Sequence, residues 1–360
     1  MNKRLEHLQN KLEELKIDAM LIGNGANRQY ISGFTGSSAM LYISKKTAAI
    51  ITDFRYIEQA TNQCNGFEVV NQGTDGIIKT AMMLVKADNA KYIGFESAHT
   101  NYSTFKQLSE YTEFTFVPTE NIVEAFRQIK DESELAKLRK AESIGDLAFA
   151  KIISLIQSEY KKGLTENDVA LELERTMRQN GASGTSFNSI VAAGAKSSLC
   201  HAVPGNETLQ AGGFVVMDFG CIYEGYCSDM TRTIFVGEPT AKHHEIYNAV
   251  LKAQLAALKA IKPGMMGREV DKVARDIITE AGYGEYFGHG LGHSAGLEIH
   301  ENPRFSMAEE QIIRPGMVVT VEPGIYVPGF GGVRIEDMIV VTETGIENFT
   351  KSPKELIIVE

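Results

Sequence analysis

The amino-acid sequence predicts an α+β protein of two domains, a small α/β domain followed by a larger domain of two related halves. The first observation is the length of 360 residues, which is more than one hydrophobic core of ordinary size accommodates. The second is a change near residue 125, where alternating short strands and helices give way to a charged helical stretch. The third is an internal repeat in the C-terminal part.

The N-terminal domain, residues 1–125, shows alternating helix and strand signals. Leucines recur at the spacing of one helix face over residues 5–15, which predicts an amphipathic helix that buries Leu5, Leu8, Leu12 and Leu15. Short apolar segments of strand character follow at 17–22, 39–43, 47–51, 92–95 and 114–117. The second and third of these flank a short polar connection that is typical of a hairpin, and a helical stretch separates the last two.

The second domain, residues 126–360, begins within a stretch of alternating charges and helix-forming residues at 124–142. One continuous domain with a surface helix at this position is the alternative interpretation.

An internal repeat divides the second domain into two halves. In each half an amphipathic helical stretch between two glycines precedes a histidine motif, His201-Ala-Val-Pro in the first and His300-Glu-Asn-Pro in the second. An apolar strand of about nine residues, at 215–223 and at 318–326, then carries an acid followed two residues later by glycine, and a second acid lies across a predicted hairpin. These acids are Asp218, Asp229, Glu322 and Glu336. The halves are expected to pack face to face and to offer four carboxylates to one site.

Four carboxylates in apolar surroundings require a counter-charge. The buried acids would lose hydration and repel one another, and a divalent cation removes both costs. His293, in the glycine-rich segment 288–293, adds an imidazole to the set. This mostly oxygen ligand set favours Mn²⁺, with Co²⁺, Fe²⁺ or Zn²⁺ as alternatives. Five ligands serve two ions only if carboxylates bridge them, at a separation of about 3.5–4 Å.

Each of these residues has a simpler interpretation when taken alone. A single acid at a strand end is usually a turn residue, and His289 and His293 alone would fit buried core histidines. The triplet at 218–220 matches the magnesium motif of kinases, but no kinase catalytic loop or phosphate loop precedes it. His243 and His244 lie on a charged helical stretch and are predicted to be solvent-exposed rather than ligands. The joint occurrence of the acids and the histidine favours the metal site.

The composition disfavours several other functions. A formal net charge of −10 argues against nucleic acid and anionic membrane as partners. The N-terminus has no apolar region of a signal peptide, and no apolar run has the length of a membrane span. The four cysteines form no Cys-x-x-Cys pair, so free thiols in a reducing cytoplasm are expected.

In these motifs the sequence resembles the metal-dependent pita-bread peptidases, the family of prolidase, aminopeptidase P and methionine aminopeptidase. The resemblance implies a creatinase-like N-terminal α/β domain and a pseudo-twofold pita-bread catalytic domain. It implies two divalent ions, most simply Mn²⁺, with Asp229 and Glu336 bridging them. The implied ligand set is Asp218, Asp229, His293, Glu322 and Glu336.

The resemblance also implies roles around the metals. His201, His300 and Glu322 would be catalytic, with a hydroxide held between the two ions as nucleophile and Glu322 transferring its proton. Substrate contacts would come from His201, His289, His300 and Arg334. The implied reaction is hydrolysis of Xaa-Pro bonds in small peptides with N-terminal Xaa-Pro, by a homodimer.

Three alternatives stay open at this point. A dipeptidase and an aminopeptidase differ only in whether the site closes behind proline. A methionine aminopeptidase is a second reading, against which the additional N-terminal domain and Arg334 count. A non-enzymatic binding module on the same fold is the third, and the complete ligand set counts against it.

Overall fold

The computed structural model describes residues 2–360 and divides the chain into two compact units between Arg127 and Gln128. No helix within the described residues is long and apolar enough to cross a membrane.

The N-terminal unit is a single mixed sheet with helices. Its helices are α1 Lys3–Glu14, α2 Gly25–Ser32, α3 Ile57–Gln63, α4 Ile77–Ala87, α5 Tyr102–Ser109 and α6 Ile122–Arg127. Its strands are β1 Ala19–Ile22, β2 Ala39–Ser44, β3 Ala48–Thr52, β4 Glu68–Asn71, β5 Tyr92–Glu96 and β6 Thr115–Thr119. They lie in the order β4-β3-β2-β1-β5-β6, with β1, β2 and β3 antiparallel and the remaining pairs parallel.

The structure confirms the predicted hairpin, because β2 and β3 pair antiparallel from Ala39 opposite Thr52. The predicted leucine face is only partly correct. Leu8 and Leu12 are fully buried, whereas Leu15 is 41% exposed. The reason is that α1 ends at Glu14, so Leu15 falls at the C-cap and no longer follows the helical face.

The C-terminal unit contains four long helices and fourteen strands within residues 128–360. The helices are α7 Glu132–Glu159, α8 Glu166–Gln179, α9 Ala241–Ala260 and α10 Gly267–Glu280. The strands of the first half are β7 Gly184–Thr185, β8 Ile190–Ala193, β9 Gly213–Phe219, β10 Cys221–Tyr223, β11 Tyr226–Cys227 and β12 Met230–Val236. Those that follow are β13 Gly292–Ser294, β14 Glu301–Phe305, β15 Val318–Val321, β16 Gly324–Val327, β17 Gly331–Arg334, β18 Asp337–Val341, β19 Ile346–Asn348 and β20 Ile358–Val359.

Each half has one central sheet. The first half has the order β20-β12-β9-β8, and the second has the order β14-β13-β15-β18-β19. Helices α7 and α8 pack on the first sheet through an apolar core that includes Ile144, Leu173 and Met217. Helices α9 and α10 pack against the second through Val250 and Ala274. The repeat read from the sequence therefore corresponds to two sheet-and-helix layers.

The predicted nine-residue strands are broken in the structure. In the first half β9 ends at Phe219, and a Cβ at Gly220 would lie 1.9 Å from the carbonyl oxygen of Ser228. In the second half the break falls at Glu322 and Pro323, where proline has no N–H to donate to a sheet. As a result, a small hairpin, β10–β11 or β16–β17, lies between the two long strands of each half.

The two long strands nevertheless pair as expected. β9 runs antiparallel to β12, with Asp218 opposite Thr231, and β15 runs antiparallel to β18. Asp229 directly precedes β12, and Glu336 directly precedes β18. Equivalent positions in the two halves therefore carry an acid.

The prediction for His243 is wrong. This residue is only 7% exposed and packs among Phe214, Phe235 and Phe330, while its Nδ1 lies 3.0 Å from the backbone nitrogen of Thr240. It therefore closes the first turn of α9 instead of facing solvent.

Candidate metal centre and active site

Four of the five candidate ligands lie close together, and three of them form the tightest group. Asp229, His293 and Glu336 each offer a ligand atom, and these atoms lie within 4.8 Å of one another. The Nε2 atom of His293 is 3.4 Å from Oδ2 of Asp229 and 3.5 Å from Oε1 of Glu322. Both halves of the repeat thus supply side chains to one cluster.

Asp218 reaches the cluster from β9 and is held in an asymmetric way. Its Oδ2 accepts a hydrogen bond of 2.6 Å from Nη2 of Arg334. Its Oδ1 is buried and has no hydrogen-bond partner among the described residues. An acceptor that is buried without a donor is costly, so this atom is suited to a cation.

The electrostatics of the cluster also call for a cation. Burial, followed by the neighbouring Glu336 and Asp218, raises the pKa of Asp229 well above its usual range. Burial and then Glu322 raise the pKa of Glu336 in the same way. Burial is the main cause that raises the pKa of Glu322 to about 8. Such carboxyls resist ionisation together unless positive charge lies among them.

His293 is prepared to act as a ligand. Burial, with a smaller contribution from His300, lowers the pKa of His293 to about 3, so the ring is neutral. Its Nδ1 lies 3.2 Å from the carbonyl oxygen of Ser294, a contact that fits a protonated Nδ1. The lone pair of Nε2 then faces the carboxylates. The donor set of carboxylate oxygens and one imidazole therefore fits divalent metal ions.

Polar side chains outside the predicted set hold the acids in place. Thr231 donates its hydroxyl to Oε2 of Glu336 at 2.6 Å and accepts from Nε of Arg334 at 3.0 Å. The buried Glu142 accepts the backbone N–H of Asp229 at 3.3 Å. Strand alternation could have identified Thr231, which lies two residues after Asp229. Nothing local in the sequence marks Glu142, which lies on α7.

Arg334 and His289 share a partner that the sequence did not reveal. Arg334 is 3% exposed, and its Nη1 donates to the hydroxyl of Tyr326 at 2.8 Å. The same hydroxyl lies 2.9 Å from Nε2 of His289. Burial lowers the pKa of His289 to about 4, and its Nδ1 lies 2.8 Å from the carbonyl oxygen of Gly290. A neutral His289 with its proton on Nδ1 therefore accepts, at Nε2, a hydrogen bond from the Tyr326 hydroxyl.

A cavity of about 740 Å³ opens onto the cluster. All five candidate ligands line it, together with His201, His289, His300 and Arg334. His201 and His300 are exposed, and the ring of His300 lies 4.5 Å from that of His293. Phe187, Ile190 and Val203 contribute an apolar wall.

Arg304 is the cavity residue of greatest interest that the sequence reasoning missed. It is exposed on β14 and lines the cavity. Its guanidinium makes no ion pair with any residue from 2 to 360. The cavity therefore combines a buried anionic cluster with one unpaired cation.

Comparison with known proteins identifies the family of each domain. Residues 136–343 match metallopeptidase family M24, and residues 4–129 match the creatinase/prolidase N-terminal domain. An Xaa-Pro dipeptidase of Pyrococcus horikoshii is 38% identical over 99% of both chains.

Two solved structures are similar over almost the whole chain. A structure of an Xaa-Pro dipeptidase from Bacillus anthracis is 48% identical, with a TM-score of 0.95 and 99% of both chains covered. One of an X-Pro aminopeptidase from Thermotoga maritima is 39% identical, with a TM-score of 0.90 and coverage of 97% of this chain and 100% of that one. On the strength of the family match and these relatives, the chain belongs to metallopeptidase family M24 and carries its pita-bread catalytic domain behind a creatinase/prolidase N-terminal domain.

Proposed function

We propose that this protein is a metal-dependent exopeptidase that hydrolyses Xaa-Pro bonds, with Xaa-Pro dipeptides as its principal substrates. The observation that carries the proposal is the cluster of buried carboxylates around a neutral histidine at a cavity of peptide size. The names of the relatives from Pyrococcus horikoshii and Bacillus anthracis support the substrate class.

Asp218, Asp229, His293, Glu322 and Glu336 would hold two divalent ions, and Mn²⁺ is the ion we propose. Bound there, such ions supply Lewis acidity that activates water and polarises the scissile carbonyl. The free Oδ1 of Asp218 and the raised pKa values of Asp229 and Glu336 support this assignment.

The chain's own groups would then handle the substrate and the protons. Glu322 lines the cavity, and we propose that it takes a proton from the attacking water and delivers it to the leaving proline nitrogen. His201 and His300 are exposed imidazoles in the same cavity and are suited to donate to the carbonyl oxygen as its charge develops. The acids favour a substrate with a free α-ammonium group, because it is a cation.

Arg304 favours a dipeptide over a longer peptide. A dipeptide places its terminal carboxylate one residue beyond the scissile bond, and Arg304 is an unpaired cation in the same cavity. We propose that its guanidinium binds that carboxylate. Arg334, in contrast, donates hydrogen bonds to Asp218 and Tyr326. We therefore propose that it orients Asp218, in addition to the predicted contact with substrate.

The experiment compares Ala-Pro, Ala-Pro amide, Ala-Pro-Ala and Met-Ala-Ser, with the parent protein and with Arg304→Gln. The parent should hydrolyse Ala-Pro fastest with Mn²⁺ and lose activity in EDTA. Arg304→Gln should raise KM for Ala-Pro about tenfold, since it removes one charge-assisted hydrogen bond, and should leave Ala-Pro amide unchanged. The matched control is Arg268→Gln, an exposed arginine outside the cavity.

Hydrolysis of Ala-Pro-Ala at least as fast as Ala-Pro would contradict the dipeptidase assignment. Cleavage of Met-Ala-Ser alone would indicate a methionine aminopeptidase, and activity unaffected by chelation would refute the metal assignment.

Two further expectations belong to the proposal. We propose a cytoplasmic location, which the four cysteines support because all are free thiols. We also propose a homodimer, as the family resemblance implies, and light scattering of the purified protein measures its mass.

A further inference from the structure

The segment 287–292 is a glycine-rich sequence near the site. It follows a short 3-10 turn at Gly284–Tyr286, leads into β13 and contains three glycines, at 288, 290 and 292. Glycine loses more conformational freedom on ordering than any other residue. Two of these glycines are required by close backbone approach, since a Cβ would lie 2.8 Å from the Phe305 carbonyl oxygen at 290 and 2.0 Å from the Thr320 carbonyl oxygen at 292.

This loop nevertheless carries His289 and leads directly into His293. A flexible loop in this position would place both imidazoles poorly, so something outside the loop must order it.

An acid–base pair on α10 contacts the loop at every second residue. Nη1 of Arg275 donates to the carbonyl oxygen of Phe287 at 2.8 Å, and Nη2 donates to that of His289 at 2.7 Å. Oδ1 of Asp271 accepts the backbone N–H of Leu291 at 3.0 Å. The guanidinium also lies 4.2 Å from the ring centroid of Phe287.

The pair is itself rigid. Arg275 donates from Nε and Nη2 to both carboxylate oxygens of Asp271, at 2.7 and 3.0 Å. Asp271 is completely buried, and the Arg275 side chain is 18% exposed. The planar fork of arginine is required for this arrangement, because lysine cannot donate to the acid and to two carbonyl oxygens with a fixed geometry.

We propose that Asp271 and Arg275 are positioning residues that order the glycine-rich loop before substrate binds, and thereby set His289 and His293 in place. This inference rests on the proposed function for its kinetic consequence alone. The effect reaches beyond the loop, because the ring of His289 contacts Tyr326 and Tyr326 contacts Arg334.

The same helix provides a matched control. Lys272 and Asp276 form an ion pair of the same i, i+4 spacing, one residue further along α10. Their side chains are 71% and 52% exposed, and within residues 2–360 neither makes a hydrogen bond or an ion pair with the loop. If an i, i+4 ion pair acted only by stabilising α10, loss of either pair would have the same effect on the loop and on turnover.

The test compares Arg275→Lys, Asp271→Asn and Lys272→Met in the manganese-loaded protein. Hydrogen–deuterium exchange of the peptide that covers 287–292 should become at least tenfold faster in Arg275→Lys and remain at the parent rate in Lys272→Met. The kcat for Ala-Pro should fall at least tenfold in Arg275→Lys, with KM changed less than threefold. Asp271→Asn keeps an acceptor for Leu291 and should show a smaller change of the same kind.

Guanidinium ion provides a second readout that a general loss of stability would not produce. In Arg275→Ala, added guanidinium chloride at millimolar concentration should restore part of kcat, whereas sodium chloride should not.

Parent-like exchange and kcat in Arg275→Lys would overturn the proposal, as would faster exchange throughout residues 128–360. A parent protein inactive on all Xaa-Pro peptides would refute the proposed function, while the exchange measurement would still test the ordering of the loop.

Discussion

The buried carboxyl of Glu336 should destabilise the metal-free protein and yet be required for activity. It is 1% exposed, accepts the hydroxyl of Thr231, and lies among other buried acids that raise its pKa. In the metal-free protein this carboxyl is therefore a source of strain. In the proposed metal site, the same carboxyl would be a ligand of both divalent ions.

Glu336→Gln should separate these two effects. Glutamine keeps an acceptor for Thr231 but removes an acid from the cluster, so the metal-free protein should be as stable as the parent or more stable by roughly 1 kcal/mol. Stabilisation by Mn²⁺ should be lost, and hydrolysis of Ala-Pro should fall at least about 100-fold, because Glu336 is the ligand that we propose both ions share. Thermal unfolding with and without Mn²⁺, together with turnover, measures both effects.

Glu280→Gln, at an exposed position of α10, is the control and should behave like the parent. Near-normal turnover by Glu336→Gln would remove Glu336 from the metal site. We expect the same loss of activity for Asp229→Ala and Glu336→Ala, with the fold retained.

The sequence was informative about residues with a strong local signature and silent about the others. Acids within apolar strands and a histidine between glycines can be found without any structure. Glu142 and Arg304 cannot, because their importance arises from partners or spaces formed by distant segments. Glu142, for example, accepts a hydrogen bond from the backbone N–H of Asp229, which is 87 residues further along the chain.

At the scale of elements, the inserted hairpins and the first turns of helices determine the direction of several important side chains. The hairpin β16–β17 presents Tyr326 and Arg334 to the cavity, a result that an unbroken strand would not give. The first turn of helix α9 contains the buried His243, whose ring lies 4.6 Å from that of Phe330. Periodicity predicted the helix but not the burial, because the residues that cover His243 come from β9, β12 and the β16–β17 turn.

His243 should make stability depend on pH. Burial lowers the pKa of His243 in the folded protein below its ordinary value of about 6.5. As the pH falls below about 6.5, the unfolded chain binds a proton first, so the free energy of unfolding decreases, by at most about 1.4 kcal/mol per pH unit from this group. In His243→Gln, the free energy of unfolding should therefore decrease less between pH 7.5 and 5.5 than it does in the parent.

Urea unfolding at both pH values, with saturating Mn²⁺, measures the difference between variant and parent. His244→Gln, at the exposed neighbouring position, should keep the parent slope. Equal slopes for parent and His243→Gln would show that the ring is free to protonate in the folded protein.

At the scale of the whole molecule, all five candidate ligands lie in the C-terminal unit, within residues 128–360. Among residues 2–127, none contributes a side chain to the candidate metal cluster. The motifs predicted both the repeat and the family, because duplicated acids and histidines recur in the same order. The way in which the two sheets bring them together depends on packing that no single motif encodes.

Metal removal should therefore affect the two units unequally. Calorimetry of the manganese-loaded protein and of protein in EDTA should show that the transition of residues 128–360 moves to lower temperature. At a free ion concentration of 100 times Kd, binding should raise the free energy of unfolding of this unit by about 2.7 kcal/mol. The transition of residues 2–127 should remain in place, and an equal shift of both transitions would contradict this expectation.

The duplicated position of Asp229 and Glu336, each directly before an inner strand, has a consequence for how the two halves stay together. These side chains are about a hundred residues apart in the chain. An ion that bound both, as we propose, would connect the two halves across that whole segment. Because the ion leaves the chain on unfolding, this link stabilises the folded state alone, and its strength depends on the free ion concentration. The ions would act as a reversible link between the halves, in a chain whose four thiols form no disulfide.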